Sequence, residues 1–105
     1  MGAAVDRFVF TLLVQVGRKP GDGLPDGATG AAILCYAPAA DEETAVRETV
    51  ALLKQADMAP LDVTGYGTLE ERLAAGEVSE EEQELMAMAG AQDAVVVAEM
   101  TPFFE

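Results

Sequence analysis

Ten residues near the start of the chain, Arg7 to Val16, constrain the fold more than any other stretch. Phe8, Phe10, Leu12, Val14 and Val16 recur at period two, and Val9, Thr11, Leu13 and Gln15 fill the alternate positions. Period two belongs to an extended strand, whose side chains point in turn to opposite faces of a sheet. One face here is wholly apolar and the other half so. The segment therefore reads as an interior strand of a sheet.

The remaining elements follow from punctuation and periodicity. Residues 17–30 hold five glycines and two prolines and read as a loop. A second strand is expected over Ala31–Ala37, with Ile33 and Cys35 on one face and Leu34 and Tyr36 on the other. Asp41 is a candidate N-cap, with Glu42 and Glu43 placed where the helix dipole favours acids. A helix is predicted over about Glu42–Ala56, its apolar stripe formed by Ala45, Val46, Val50, Leu52, Leu53 and Ala56 and broken only by Thr49. Pro60 stops it, and Leu61–Gly67 reads as a third, glycine-marked strand. Thr68 with Glu71, and Ser79 with Glu82, match the capping-box spacing, and two further helices are expected to end near Gly76 and Gly90. Ala94–Met100 is the last predicted strand, ended by Pro102.

The predicted order is β-β-α-β-α-α-β in one domain spanning residues 1–105. About four strands, with two to three helices on one face, make a two-layer α+β sandwich. Its content is similar to that of ferredoxin-like folds, but its order differs, so the likeness implies no function. The second and third strands are expected to be linked by a parallel crossover through the main helix.

Charge narrows the partners. Residues 39–105 carry sixteen acids and three bases, whereas residues 1–38 are neutral, so the whole net charge of −13 lies in the later two thirds. Phosphate backbones require clustered Lys and Arg, so no nucleic-acid partner is expected. An anionic membrane surface would repel the chain as well. An acidic face suits a basic protein partner, or simply keeps the protein soluble. Phe8–Val16 lacks both the leader and the cleavage site of a secretory signal, and the expected location is cytoplasmic. Mutual repulsion of the acids is expected to raise carboxylate pKa values, so that stability rises with salt and from pH 7 to about pH 5.5.

Few residues suggest chemistry. There is no histidine, which removes imidazole catalysis and histidine metal sites, and no metal or cofactor is expected. Cys35 lies in an apolar strand without an activating cation and reads as a small buried hydrophobe. Five glutamates between Glu77 and Glu84 read as a solvated helix start, because consecutive helical residues splay too far apart to converge on an ion. Arg18 and Lys19, the only adjacent basic pair, could hold a carboxylate or phosphate at the glycine loop. In Thr64-Gly65-Tyr66-Gly67-Thr68 the alternating Thr64, Tyr66 and Thr68 suggest a polar pocket wall, with Tyr36 facing it from the second strand. Phe103 and Phe104 at the C-terminal end need cover, within the subunit or across a dimer.

Two function classes remain. The first is a non-catalytic binding or protein-interaction domain, expected to be a homodimer that uses Arg18, Lys19, Thr64, Tyr66, Tyr36, Phe103 and Phe104 as ligand or partner contacts. The alternative is a small cofactor-independent isomerase or lyase, with Tyr66 and a carboxylate, Glu99 or Asp62, as general acid and base.

Overall fold

A computed structural model describes residues 7–104. The elements are β1 (Phe8–Val16), β2 (Ala28–Ala39), α1 (Glu42–Gln55), β3 (Pro60–Thr68), α2 (Leu69–Ala74), α3 (Glu80–Gln92) and β4 (Val96–Phe104). The strands form one sheet in the order β3-β1-β2-β4, with every neighbouring pair antiparallel. β1 thus lies between two strands, as its alternation demands. β2 and β3 both run against β1 and so run parallel to each other. The β2-α1-β3 connection is the expected parallel crossover, but it steps over β1.

The register of β1 on β2 sorts the core into two faces. Phe10, Leu12, Val14 and Val16 stand opposite Ala37, Cys35, Ile33 and Ala31, and α1 covers this face through Ala45 and Leu53. Thr11 and Leu13 stand opposite Tyr36 and Leu34, and α3 covers part of that second face through Met86 and Ala89. Leu12, Val14 and Ile33 are almost fully buried, and each contributes roughly 1.5–3 kcal/mol by leaving water.

The expected two-layer sandwich with helices on one face is therefore corrected: the helices lie on both faces of the sheet. The reason is already present in β1 and β2, whose second faces carry Val9, Leu13, Leu34 and Tyr36 and need cover as much as the first.

The boundaries of β2, β4 and α3 also differ from expectation. β2 begins at Ala28 and runs on to Ala39, which shortens the loop. β4 continues through Pro102 to Phe104 instead of ending there, because only one side of this edge strand is paired and proline is tolerated at an edge. Gly90 lies inside α3 and does not end it; the terminating residue is Asp93, in left-handed conformation at φ 52°. A side chain at Gly90 would come within 3.3 Å of Val9 Cγ2, so glycine here lets α3 press onto β1. Among the described residues no helix is long and apolar enough to cross a membrane.

Thr49 interrupts the buried stripe of α1. It is fully buried, and its hydroxyl finds no hydrogen-bond partner among the described residues. An unpaired hydroxyl in an apolar setting costs about 1–3 kcal/mol, and valine has nearly the same shape and helix propensity. Thr49→Val is therefore expected to stabilise the protein by about 1 kcal/mol, read as a higher urea midpoint at unchanged slope. A lower midpoint would show that the hydroxyl is satisfied in solution.

Candidate functional site

The polar residues that the fold gathers come from four elements and meet on the face shared with α3. Two capping boxes place two of them. Thr68 accepts the Glu71 N–H at 3.2 Å and Glu71 accepts the Thr68 N–H at 2.8 Å, which starts α2. Ser79 and Glu82 make the same exchange at the start of α3, at 3.2 and 3.4 Å. Both motifs appear where their spacing put them. Arg72, in the last turn of α2, then faces Glu82, in the first turn of α3, across the short link between the helices.

Arg72 is a three-way tie. Its Nη1 donates to Thr11 Oγ1 on β1 at 2.9 Å, and its Nη2 donates to the Glu77 carbonyl at 3.0 Å and to Glu82 Oε2 at 3.2 Å. The Tyr36 hydroxyl, reaching up from β2, donates to the same Glu82 oxygen at 2.8 Å. Burial, reinforced by the Glu82 charge, pushes the Tyr36 phenol up to about 12. Burial also acts to raise the Glu82 carboxyl, but the hydrogen bonds from Tyr36 and Ser79 and the Arg72 charge outweigh it and hold the carboxyl below its ordinary value.

Two adjoining hollows flank this network and share Leu34 and Glu82. The first, about 380 Å³, is lined by Thr11, Leu13, Leu34, Tyr66, Arg72, Glu77 and Glu82. The second, about 410 Å³, lies toward β4 and includes Tyr36, Leu85, Ala98 and Glu99. They exist because α3 covers only part of this face, leaving Leu13 and Leu34 half-buried.

The residues singled out from the sequence fall as follows. Tyr66 stands half-exposed at the wall of the first hollow, as its place between two glycines suggested. Tyr36 does face this region, but as a fully buried member of the network. Thr64 is exposed on β3 opposite Leu13. Glu99 lines the second hollow and Asp62 lines neither, so the acid–base partners paired with Tyr66 in the enzymatic reading stand outside its hollow. The carboxylates beside Tyr66 are instead Glu77 and Glu82. Phe103 and Phe104 belong to the β4 edge and are 40% and 60% exposed. Cys35 is fully buried, and burial pushes its thiol up to about 11.

Arg18 is committed to its own loop. It donates to the Asp22 carboxylate through Nε at 3.0 Å, and to the carbonyls of Pro25 and Ala28. Asp22, buried, also accepts the backbone N–H groups of Lys19 at 2.9 Å and Leu24 at 3.0 Å. Those two backbone bonds, and Arg18 after them, bring the Asp22 carboxyl down from 3.8 to about 2. The glycine loop is thus built around an internal ion pair; both residues of the basic couple are exposed, but among the described residues only the Lys19 side chain is left without a partner.

These shifts act against the expected rise of stability from pH 7 to about pH 5.5. Asp22, Asp41 and Glu82 all lie below their ordinary values, Asp41 because it caps α1 through the Thr44 N–H. A carboxyl depressed in the folded state adds stability that is complete above its unfolded pKa and is lost as pH falls through the folded one. Unfolding free energy is therefore expected to stay flat from pH 7 to about 5.5 and to fall below about pH 4.5. Tyr36 and Cys35 are raised, so their contribution is full below about pH 9 and is lost as pH climbs toward about 11–12. Urea titrations across this range check both limbs, and a rise in stability between neutrality and mild acid would restore the dominance of repulsion.

Thr11, Arg72 and Glu82 were not singled out from the sequence as site residues. The available signal was the N3 position of Glu82 in its capping box together with an arginine just before a short helix–helix link. Residues 9–104 match the family model described as "Domain of unknown function (DUF8846)". No curated protein and no solved structure matches the chain.

Proposed function

We propose that this chain, which belongs to the DUF8846 family of domains of unknown function, is a non-catalytic interaction domain that acts in the cytoplasm as a homodimer joined along β4. The observation that carries this reading is the character of that edge. β4 is nine residues long, has a neighbour on one side only, and exposes Val97, Met100, Phe103 and Phe104. Apart from the missing N–H of Pro102, near one end of the strand, its open side presents unpaired backbone donors and acceptors, a template for another strand. Both edge strands pair through two register shifts, but the opposite edge, β3, also holds Gly67 at φ 95°.

The occupant is a second copy because the strand is nearly charge-free in an acidic chain. Glu99 is its one ionisable residue. A twofold axis near Met100 sets Glu99 opposite Thr101 and Val97 opposite Phe103, so like charges are not directly opposed. A basic partner would be drawn to the acidic helix starts, away from this apolar strip.

Light scattering of the full chain is expected to give twice the 11.0 kDa chain mass. Met100→Lys should return it to one chain mass with an unchanged far-UV spectrum. A wild-type chain that scatters as a monomer at high micromolar concentration defeats the proposal, and so does one that becomes oligomeric only on adding a basic polypeptide.

A further inference from the structure

We propose that the first hollow, under the α2–α3 link, is a binding site for a small ligand with an apolar body and a cationic nitrogen, an amine or guanidine. This site is separate from the β4 edge and does not depend on the dimer.

The floor supplies the apolar part. Leu13 and Leu34 stand opposite each other on β1 and β2, half-buried where neighbouring positions on the same face are closed by α3. The half-exposed Tyr66 side chain, from the edge strand β3, lines the same hollow. A ring face beside leucine side chains suits a flat or aliphatic body, and it also attracts a cation. At about 380 Å³ the space falls within the range of small-molecule sites.

The rim decides the charge. Arg72 is the one cation in the lining; three of its five N–H donors are engaged, by Thr11, the Glu77 carbonyl and Glu82, and the Glu82 carboxylate at 3.2 Å balances its charge. A ligand carboxylate or phosphate would meet a lining of one cation and two carboxylates, Glu77 and Glu82. Glu82 is likewise committed, to Tyr36, Arg72 and the Ser79 N–H. The Glu77 side chain is the exception: its carboxylate makes no hydrogen bond or ion pair among the described residues, and it stands exposed at the mouth. The group left over is an anion, so the ligand it complements is a cation.

The experiment is methyl NMR of the full-length protein with labelled leucines, titrated with phenethylamine, 2-phenylethanol and 3-phenylpropionate. The amine is expected to shift the Leu13 and Leu34 methyls saturably while Leu12 and Leu53 stay still. The alcohol should bind about fivefold more weakly, the scale of a half-exposed ion pair, and the carboxylate more weakly still. Glu77→Gln should abolish the difference between amine and alcohol, and Tyr66→Ala should weaken both. Lysine amide, blocked at its α-nitrogen, forms a further arm. Tighter binding than phenethylamine assigns the site to a basic side chain of a protein, and weaker binding assigns it to a free small amine. The proposal is overturned if the amine gives no saturable shift, if the three phenyl probes bind alike, or if the largest shifts fall outside this hollow.

Discussion

Replacing Arg72 by methionine is expected to lower the stability of the protein by about 2–3 kcal/mol. The guanidinium joins α2, α3 and β1, and its side chain is only 12% exposed. Methionine keeps the aliphatic bulk but strands three partners: the Thr11 hydroxyl, the Glu77 carbonyl and the Glu82 carboxylate. Removing one member of a buried pair costs about 3–5 kcal/mol, and the 28% exposure of Glu82 lets water recover part of that. Lysine should not restore the loss, since a point charge cannot span partners in three directions. Adding Glu82→Gln to Arg72→Met should recover part of it, because the stranded charge is then gone. α2 buries no residue of its own, so its hydrogen exchange should quicken more than that of α1 in the single variant. Urea unfolding is the measurement, and a loss below about 0.5 kcal/mol would mean that water replaces the arginine at little cost.

Gly30→Ala is expected to cost about 2 kcal/mol and roughly 10 °C of melting temperature. Gly30 lies in β2, an interior strand, and its φ is ordinary, so conformational freedom is not the reason for glycine. The reason is contact: a Cβ there would stand 2.5 Å from the Val16 carbonyl oxygen and 3.7 Å from Gly17 Cα. Those are backbone atoms of the adjoining strand and the loop after it, and they cannot turn aside. Gly65→Ala makes the useful contrast. A Cβ at Gly65 would meet the far end of the Glu42 side chain, which can swing into solvent, and the expected change is within about 0.5 kcal/mol. Thermal melts of the two variants should therefore separate widely. Equal melting temperatures would show that the β1–β2 pairing has slack at Gly30.

Much of this molecule is legible one element at a time. β1 was readable because two periods of opposite parity overlap in it, and its interior position followed from having apolar residues in both. The capping boxes at Thr68 and Ser79 were readable because they are satisfied locally, within three residues. Asp41 capped its helix for the same reason. Pro102 misled because a proline ends an interior strand but not an edge strand, and whether a strand is an edge is a property of the sheet. Gly90 misled similarly: glycine after a helical run suggests a stop, whereas its cause here is the Val9 methyl of a strand 81 residues earlier.

The amino-acid sequence by itself determined the α+β content, the order of elements, the starts of the helices and the burial of Cys35, because each follows from local periodicity, capping and the transfer of apolar side chains from water. The tertiary structure alone decided that helices cover both faces of the sheet, that β4 is an edge with its phenylalanines half in solvent, and that Arg18 closes its own loop. It alone brought Thr11, Tyr36, Arg72 and Glu82 to one point. Those four residues lie up to 71 positions apart in the chain, and no local pattern encodes the meeting of side chains whose distance is set by strand order and by how closely a helix can approach a sheet.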